Sequence, residues 1–457
     1  MNNFLNKSTF VGIVHKLIFF STVLLILFSR SFVGVYIFGI RVGELIIAAA
    51  LLLSLLPFLT KYITKATTSK YVISDKLNFI HKIIIGTFFL SLILNTELPF
   101  NQYFFKSSSI LWVIIFVNIG YYLSNVTNFS EKSGYFAVAL LVTLYFLSTS
   151  LGEFPYIGDY PELIDRFFNK YSDKVEPVKA SNLLLTLIVI NLFSSVSIKS
   201  KKANLIILFC TVSLILPLLA FNSRGSVLFG ILYFLLEIFY RRKTIYKNRL
   251  LTFCLLIISS LIFISSTLWI FNEFNFSKAQ NVEEIVESIN SSEEKFSQKK
   301  NFSPDTFLTF YIYEGRIYSR DATVNWRFDI WQDNFEDQFN KNKIIQGYGY
   351  SSRLPVMNDP EEPGRYGEDG LNEHVHNYFV TVFARGGIIL FIVTISYWFY
   401  LINEYRRVHK NNYILVLIIP ALLNASFDVA MESVQFPYLL LLSIGYLFNA
   451  KQEFQNI

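Results

Sequence analysis

Apolar residues occur along this chain in blocks of about 15 to 25, separated by short polar stretches. A helix needs roughly 20 such residues to cross the hydrocarbon layer of a bilayer. Backbone polar groups in lipid must also be paired within the protein, which helices achieve. The pattern therefore predicts an all-α polytopic membrane protein with about 12 transmembrane helices.

The predicted spans are residues 11–28, 42–60, 80–95, 107–124, 135–150, 181–197, 203–221, 226–240, 250–271, 377–403, 412–427 and 435–449. The first span follows Lys7 and Lys16 and is interpreted as a retained signal-anchor. Hydrophobic residues make up 53% of the chain and charged residues only 16%, which agrees with a chain that lies mostly in lipid.

Positive charge is distributed unevenly between the two sets of loops. If both termini are cytoplasmic, the inner loops carry 20 Lys and Arg, whereas the short outer loops carry eight. Cytoplasmic loops of membrane proteins are enriched in these residues. The net charge of +6 therefore reflects orientation in the bilayer. We expect both termini in the cytoplasm and no nucleic-acid partner.

The spans divide the chain into three parts. Residues 1–271 contain nine spans and an external loop at 151–180, and residues 376–457 contain the last three. Between them, residues 272–375 form a large external loop with 11 Lys and Arg against 19 Asp and Glu. Its first part is polar and reads as a surface helix or a disordered stretch, whereas its aromatic second part predicts an ordered, partly helical cap before the tenth helix.

Arg224 lies in the short external turn "NSRG" between two apolar spans. An arginine this close to hydrocarbon reaches out to the lipid surface, pairs with a carboxylate or binds an anionic ligand. Gly225 and Ser226 open a helix, and the amides of a helix N-terminus favour phosphate oxygens. This combination favours a ligand site.

Arg327 lies in the segment "NWRFDIWQDNFE" of the large loop. It is a second candidate for binding an anionic group on the external face. The alternative is a structural ion pair with Asp329 or Asp333.

His376 and His374 lie where the polar loop meets the tenth apolar span. At a helix N-terminus the dipole disfavours protonation, so the imidazole of His376 would remain available as a base. The alternative is a histidine hydrogen-bonded at the membrane interface. A metal site would need both histidines, an extended backbone and carboxylates such as Asp369 or Glu373, and we predict neither a metal nor another cofactor.

Arg385 follows within the same apolar span, and an intramembrane arginine is a functional candidate by default. The adjacent Gly386 and Gly387 are expected to break the helix there. The candidate partners of Arg385 are Glu44, Asp428 and Glu432, which lie near the external ends of predicted spans.

Taken in order, these motifs resemble the O-antigen ligase/polymerase superfamily of bacterial membrane glycosyltransferases. The motifs are the twelve spans, "NSRG" in an external turn, "WRFDIW" and "GYGY" in a large loop before the tenth span, and "HN" at its start. The resemblance covers about residues 180–430. His374 and the insert at 272–323 depart from the family pattern.

The resemblance implies a C-type membrane glycosyltransferase fold and a metal-independent enzyme of the bacterial inner membrane whose active site faces the periplasm. Its donor would be an undecaprenyl-diphosphate-linked glycan, and its acceptor a glycan or lipid A-core. A chain-length regulator protein is a further expected partner. By position, Arg224 and Arg327 would hold the lipid diphosphate, and His376 would act on the acceptor.

Four points remain open from the sequence. Asn377, Arg385 and His374 are candidate substrate-binding residues, and His374 is the alternative to His376 as the acting histidine. A polymerase is favoured over a ligase because both external loops carry arginines, Arg166 among them. The aromatic residues of the cap would stack on sugar rings, or they are ordinary core; they include Tyr311, Tyr313, Tyr318, Trp326, Trp331, Tyr348 and Tyr350. A transporter or flippase is the non-enzymatic alternative.

Overall fold

The structure is a computed structural model, and we describe residues 7–63, 73–95, 102–126, 162–175, 178–273, 310–313, 315–319, 322–358, 365 and 372–448 of it. This part of the chain is mostly helical, as the sequence predicts for a membrane protein. The predicted span 135–150 and the polar stretch 274–309 lie outside the described residues.

Within these ranges the helices are α1 (Lys7–Val33), α2 (Val42–Ile63), α3 (Asp75–Leu94), α4 (Gln102–Trp112), α5 (Phe116–Val126), α6 (Glu162–Tyr171), α7 (Ala180–Ser197), α8 (Lys201–Asn222), α9 (Arg224–Lys247), α10 (Arg249–Glu273), α11 (Ala322–Asn340), α12 (Tyr378–His409), α13 (Ile414–Ala425) and α14 (Gln435–Leu447). Two antiparallel hairpins accompany them, β1 (Tyr36–Ile37) with β2 (Ile40–Arg41), and β3 (Phe310–Tyr313) with β4 (Arg316–Ser319).

Five of the described helical segments are long and apolar enough to cross a membrane: Asp75–Leu94, Tyr103–Ser124, Lys201–Asn222, Arg249–Leu268 and Tyr378–His409. Shorter apolar helices lie at Phe20–Val33, Val42–Leu55, Ala180–Val196, Ile414–Ala425 and Gln435–Leu447. Each of these ten segments overlaps a predicted span. Residues 226–240 form part of α9, which belongs to neither group.

The second half of α9 contains a buried ion pair. Glu237 is 1% exposed and Arg241 is 5% exposed, and Arg241 Nε donates to Glu237 Oε2 at 2.6 Å. The hydroxyls of Tyr233 and Tyr413 donate to Glu237 Oε1 at 3.2 and 2.7 Å, and Arg241 Nη2 donates to Ser195 Oγ at 2.6 Å. The two buried charges are thus paired with each other and hydrogen-bonded, which burial requires.

The long helix α12 is broken at Gly387, where φ is +66°. The sequence predicts this break at Gly386 and Gly387, and it is confirmed at the second of them. The loop 344–349 fills the gap with main-chain hydrogen bonds. Ile388 N donates to Ile344 O at 2.8 Å, Tyr348 N to Ala384 O at 2.8 Å and Gly349 N to Arg385 O at 2.9 Å.

Replacing Gly387 by Ala is expected to destabilise the fold strongly. An added Cβ would lie 2.1 Å from Ile345 O, and the positive φ alone costs about 1–3 kcal/mol in a residue with a side chain. Thermal unfolding in detergent would show a melting temperature several degrees lower. Gly86→Ala in α3 is the matched control, since no heavy atom lies within 4 Å of its Cβ position. Equal melting temperatures for the two variants would contradict this expectation.

The described part of the large loop consists of the β3–β4 hairpin, α11 and the segment that leads to α12. Gln332 of α11 holds the hairpin, because its Oε1 accepts from Ile317 N at 2.6 Å and its Nε2 donates to Ile317 O at 2.9 Å.

The aromatic residues of this region divide into two groups. Tyr350 is fully buried, whereas Tyr311 and Tyr313 are 49% and 60% exposed. The interpretation of these tyrosines as core is therefore wrong for the hairpin pair.

Candidate functional site

Asn377 ends the turn that precedes α12 and caps the helix. Its Oδ1 accepts hydrogen bonds from Phe379 N at 2.9 Å and Val380 N at 3.2 Å. A capping side chain satisfies N–H groups that have no partner within the helix, and it fixes where the helix begins. The role predicted for Asn377 in substrate binding remains a prediction.

His376 lies immediately before this cap, in a left-handed backbone conformation with φ of +53°. The neighbouring Val375 is completely buried, and its carbonyl accepts a hydrogen bond from Trp331 Nε1 at 2.6 Å. The edge of the His376 ring meets Trp326, with ring centroids 5.1 Å apart. The turn is thus held against α11, which carries both tryptophans.

The imidazole of His376 is held in its neutral form. Burial, and after it the nearby charge of Arg327, lowers the pKa of His376 to about 3, against the opposing effect of Asp428. Its Nε2 lies 3.2 Å from Asn372 Oδ1, and its buried Nδ1 has no hydrogen-bond partner among the described residues. The sequence predicts a neutral imidazole here from the helix dipole, whereas burial is the largest cause in the structure.

This lowered pKa predicts a dependence of stability on pH. The unfolded chain binds a proton at His376 below about pH 6.5, whereas the folded protein does not do so until about pH 3. Stability contributed by this site is therefore lost as the pH falls between these values. The melting temperature of wild type should fall relative to that of His376→Gln when the pH is lowered from about 7 to about 4.5. An equal difference at both pH values would contradict a neutral, buried imidazole.

Arg327 lies in α11, next to Trp326, and its charge acts on His376. The structural alternative for Arg327 was a pair with Asp329 or Asp333. In the structure, other arginines bind these carboxylates. Arg316 Nη2 lies 2.5 Å from Asp333 Oδ1 and 3.4 Å from Asp329 Oδ1, and Arg365 pairs with both aspartates. The role predicted for Arg327 in substrate binding remains a prediction.

Arg224 is the first residue of α9, so the predicted helix start at this turn is confirmed. Ser223 caps the helix, with its Oγ 3.4 Å from Ser226 N. Ser226 Oγ in turn donates to Asn424 Oδ1 of α13 at 2.9 Å.

A row of aromatic rings connects this helix start to α11. Phe229 of α9 stacks on Phe427 at a centroid distance of 6.2 Å, and Phe427 contacts Trp331 at 6.0 Å. Trp331 is the residue that holds the carbonyl of Val375. The start of α9, the middle of α11 and the His376 turn thus belong to one packed region.

His374 has different partners from His376. Its Nδ1 contacts Glu432 Oε2, and Glu432 Oε1 accepts a hydrogen bond from Thr381 Oγ1 at 2.6 Å. Burial alone would raise the pKa of Glu432, but the contacts with His374 and Thr381 lower it below the usual value. Glu432 therefore remains a carboxylate and anchors the turn to the segment between α13 and α14.

Arg385 is 4% exposed and binds neutral groups. Its Nη1 donates to Gly349 O at 3.2 Å and Ser352 O at 2.5 Å, and its Nη2 donates to Tyr103 Oη at 2.6 Å. The partners expected from the sequence were Glu44, Asp428 and Glu432, and this expectation is wrong for the described hydrogen bonds. Glu44 accepts from Arg41, and Glu432 is bound to His374 and Thr381.

A small cleft separates Arg385 from the His374–Glu432 pair. It is lined by Tyr103, Lys106, Ser107, His374, Thr381, Arg385 and Glu432. Sequence reasoning missed Asn372 and the α4 residues of this cleft, because their contacts join positions that are far apart in the chain or depend on the shape of the turn. Among the described residues, no group of three or more His, Cys, Asp or Glu side chains is placed to hold a metal ion.

Apolar helices of membrane-spanning length, beside a turn that carries a half-buried histidine and a nearby arginine, define a helical integral membrane protein with a polar site at one end of its helices. The model of the O-antigen ligase family matches residues 208–395. The resemblance to the O-antigen ligase/polymerase superfamily is thereby confirmed over a segment that includes every candidate site residue named above from Arg224 to Arg385. No curated protein matches the chain.

The family match supports an enzyme of polysaccharide ligation or polymerisation. Such an enzyme uses a lipid-linked glycan donor and an acceptor in a membrane. Together with the membrane-spanning helices, the match indicates a bacterial inner membrane protein.

Proposed function

We propose that this protein is a surface polysaccharide polymerase of the O-antigen type. It transfers a glycan from an undecaprenyl-diphosphate carrier to an acceptor sugar hydroxyl on the outer face of the cytoplasmic membrane. The observation that carries the proposal is the neutral imidazole of His376, whose buried Nδ1 has no hydrogen-bond partner among the described residues. The charge of Arg327 acts on this imidazole, and both residues lie within the segment that the family model matches. Both termini are placed in the cytoplasm, and the site faces outwards.

His376 is the proposed base. The acceptor hydroxyl donates its proton to the imidazole as its oxygen attacks the anomeric carbon of the donor sugar. The bond from that carbon to the diphosphate oxygen breaks, and the lipid diphosphate leaves with the bonding electrons. A histidine serves this role only while it is unprotonated, which the low pKa of His376 ensures at neutral pH.

Arg327 and Arg224 are the proposed ligands of the lipid diphosphate. Negative charge develops on the leaving oxygen, and guanidinium groups stabilise it through paired, charge-assisted hydrogen bonds. Arg224 also begins α9, whose N-terminal amides add to the attraction for phosphate. The guanidinium groups and the helix amides would together supply the charge stabilisation, so we propose a metal-independent reaction.

Purified protein in lipid vesicles, supplied with lipid-linked repeat units, tests transfer directly. We expect glycan chains longer than one repeat, formed at the same rate with or without EDTA. A requirement for a divalent ion would contradict the metal-independent mechanism. Vesicles without product, under conditions where the protein remains folded, would contradict the proposed function.

A null strain separates the two kinds of transfer. Surface glycans limited to a single repeat would support polymerisation. Full-length polymer that remains on the undecaprenyl carrier would instead assign the protein to ligation. Unchanged glycans would contradict both.

A further inference from the structure

Asn372 makes hydrogen bonds that fix which way its side-chain amide faces. Its Nδ2 donates to Arg365 O at 2.9 Å, and its Oδ1 accepts from His374 N at 3.3 Å. A backbone carbonyl can only accept and a backbone N–H can only donate. The amide nitrogen therefore lies at Arg365 and the amide oxygen at His374, and a reversed amide would lose both bonds.

The orientation of Asn372 determines which nitrogen of His376 carries the proton. His376 Nε2 lies 3.2 Å from Asn372 Oδ1, and an amide oxygen cannot donate. Nε2 is therefore the N–H, and in a neutral ring Nδ1 then holds the lone pair. Nδ1 is also the buried atom that has no hydrogen-bond partner among the described residues.

We propose that Asn372 is a positioning residue that selects the Nε2–H tautomer of His376 and so makes Nδ1 the basic nitrogen. The inference about the tautomer concerns the protein itself, and its consequence for the rate rests on the proposed function. The group that Nδ1 lacks is a hydrogen-bond donor, and an acceptor sugar hydroxyl is such a donor. On reaction, the O–H proton passes to Nδ1 while the Nε2–H stays bound to Asn372.

Other groups around His376 set its charge but not its tautomer. The charged and titratable side chains that act on it are Arg327 of α11, His374 of its own turn, and Asp428 and Glu432 between α13 and α14. Among the described residues, the hydrogen bond of the ring is the one that its Nε2–H donates to Asn372 Oδ1. A change at Asn372 should therefore affect the tautomer directly.

Nitrogen-15 NMR of histidine-labelled protein in lipid bilayers measures the tautomer without any substrate. The chain has five histidines, so His376→Gln identifies the relevant signals by difference. We expect a protonated Nε2 and an unprotonated Nδ1 in wild type, and a mixture of tautomers in Asn372→Leu. Asn411→Leu is the matched control, because Asn411 makes main-chain hydrogen bonds at the other end of α12. A protonated Nδ1 in wild type, or an unchanged spectrum in Asn372→Leu, would overturn the inference.

Kinetics provide a second measurement. Asn372→Leu should lower transfer about tenfold at every pH, the equivalent of one lost hydrogen bond. Asn372→Asp still accepts from Nε2–H, but its negative charge raises the pKa of His376. Its rate should therefore approach that of wild type at alkaline pH and begin to fall at a higher pH than the wild-type rate on the acid side.

A merely structural role for Asn372 would lower the amount of folded protein without moving the pH profile. If Asn372→Leu does not fold, the profile of Asn372→Asp decides the question, and an unmoved profile contradicts the inference. Wild-type protein that transfers no glycan would contradict the proposed function and leave the NMR result standing. Equal transfer rates for wild type and Asn372→Leu would contradict the inference alone.

Discussion

Replacement of His376 by Ala is expected to lower the rate of glycan transfer by a factor of about 10²–10⁴, the usual contribution of a general acid or base. The protein should still fold. His376 Nδ1 has no partner among the described residues, and Asn372 Oδ1 keeps its hydrogen bond from His374 N when the imidazole is removed. Transfer in vesicles, measured per folded protein at saturating donor and acceptor, gives the loss in kcat.

Two other histidines serve as comparisons. His409 lies at the opposite end of α12, where its Nε2 is 2.9 Å from Phe448 O, and His409→Ala should transfer at close to the wild-type rate. His374→Ala tests the alternative base, and we expect a smaller loss than for His376→Ala because His374 is bound to Glu432. Full activity in His376→Ala, or a larger loss in His374→Ala, would assign the base to His374 or to another group.

Arg327→Ala is expected to lower kcat by a factor of about 10²–10³, comparable to the loss of one donor that stabilises charge in a transition state. A weaker affinity for the lipid-linked donor should accompany this loss. The variant has a second effect that can be measured independently. The positive charge of Arg327 disfavours protonation of His376, so its removal raises the pKa of His376 and moves the acid limb of the pH profile to higher pH.

Arg327→Lys separates charge from shape. Lysine keeps the positive charge, so the acid limb should remain in place, but it lacks the planar fork that binds two phosphate oxygens at once. Arg407→Ala is the matched control, since Arg407 lies at the opposite end of α12 with a side chain that is 68% exposed and paired with Glu404. Wild-type kinetics in Arg327→Ala, together with an unmoved acid limb, would exclude this arginine from the site.

The sequence predicts those features that depend on local pattern. Apolar runs locate the helices, Gly225 and Ser226 mark the start of α9 at Arg224, and paired glycines mark the break in α12. The position of His376 at the head of α12 follows in the same way, because polar residues give way to apolar ones there. Each of these inferences uses information that lies within a few residues of the feature.

The partners of the site residues could not be predicted in this way. Arg385 binds two main-chain carbonyls and a tyrosine hydroxyl from α4, and a carbonyl acceptor leaves no mark in a sequence. From its charge, Glu432 was a candidate partner of Arg385, but tertiary packing places Glu432 against His374. Asn372 carries no signal either, since its role comes from the left-handed turn at His376 and from Arg365, seven residues earlier.

The break in α12 has a consequence for protein engineering. Because loop 344–349 supplies hydrogen bonds to both sides of Gly387, this loop and α12 form one structural unit. Loop exchanges between relatives should therefore include the α12 segment around Gly387 together with residues 344–349. A graft that takes the loop alone would disturb the main-chain hydrogen bonds that this loop makes with Ala384, Arg385 and Ile388 of α12.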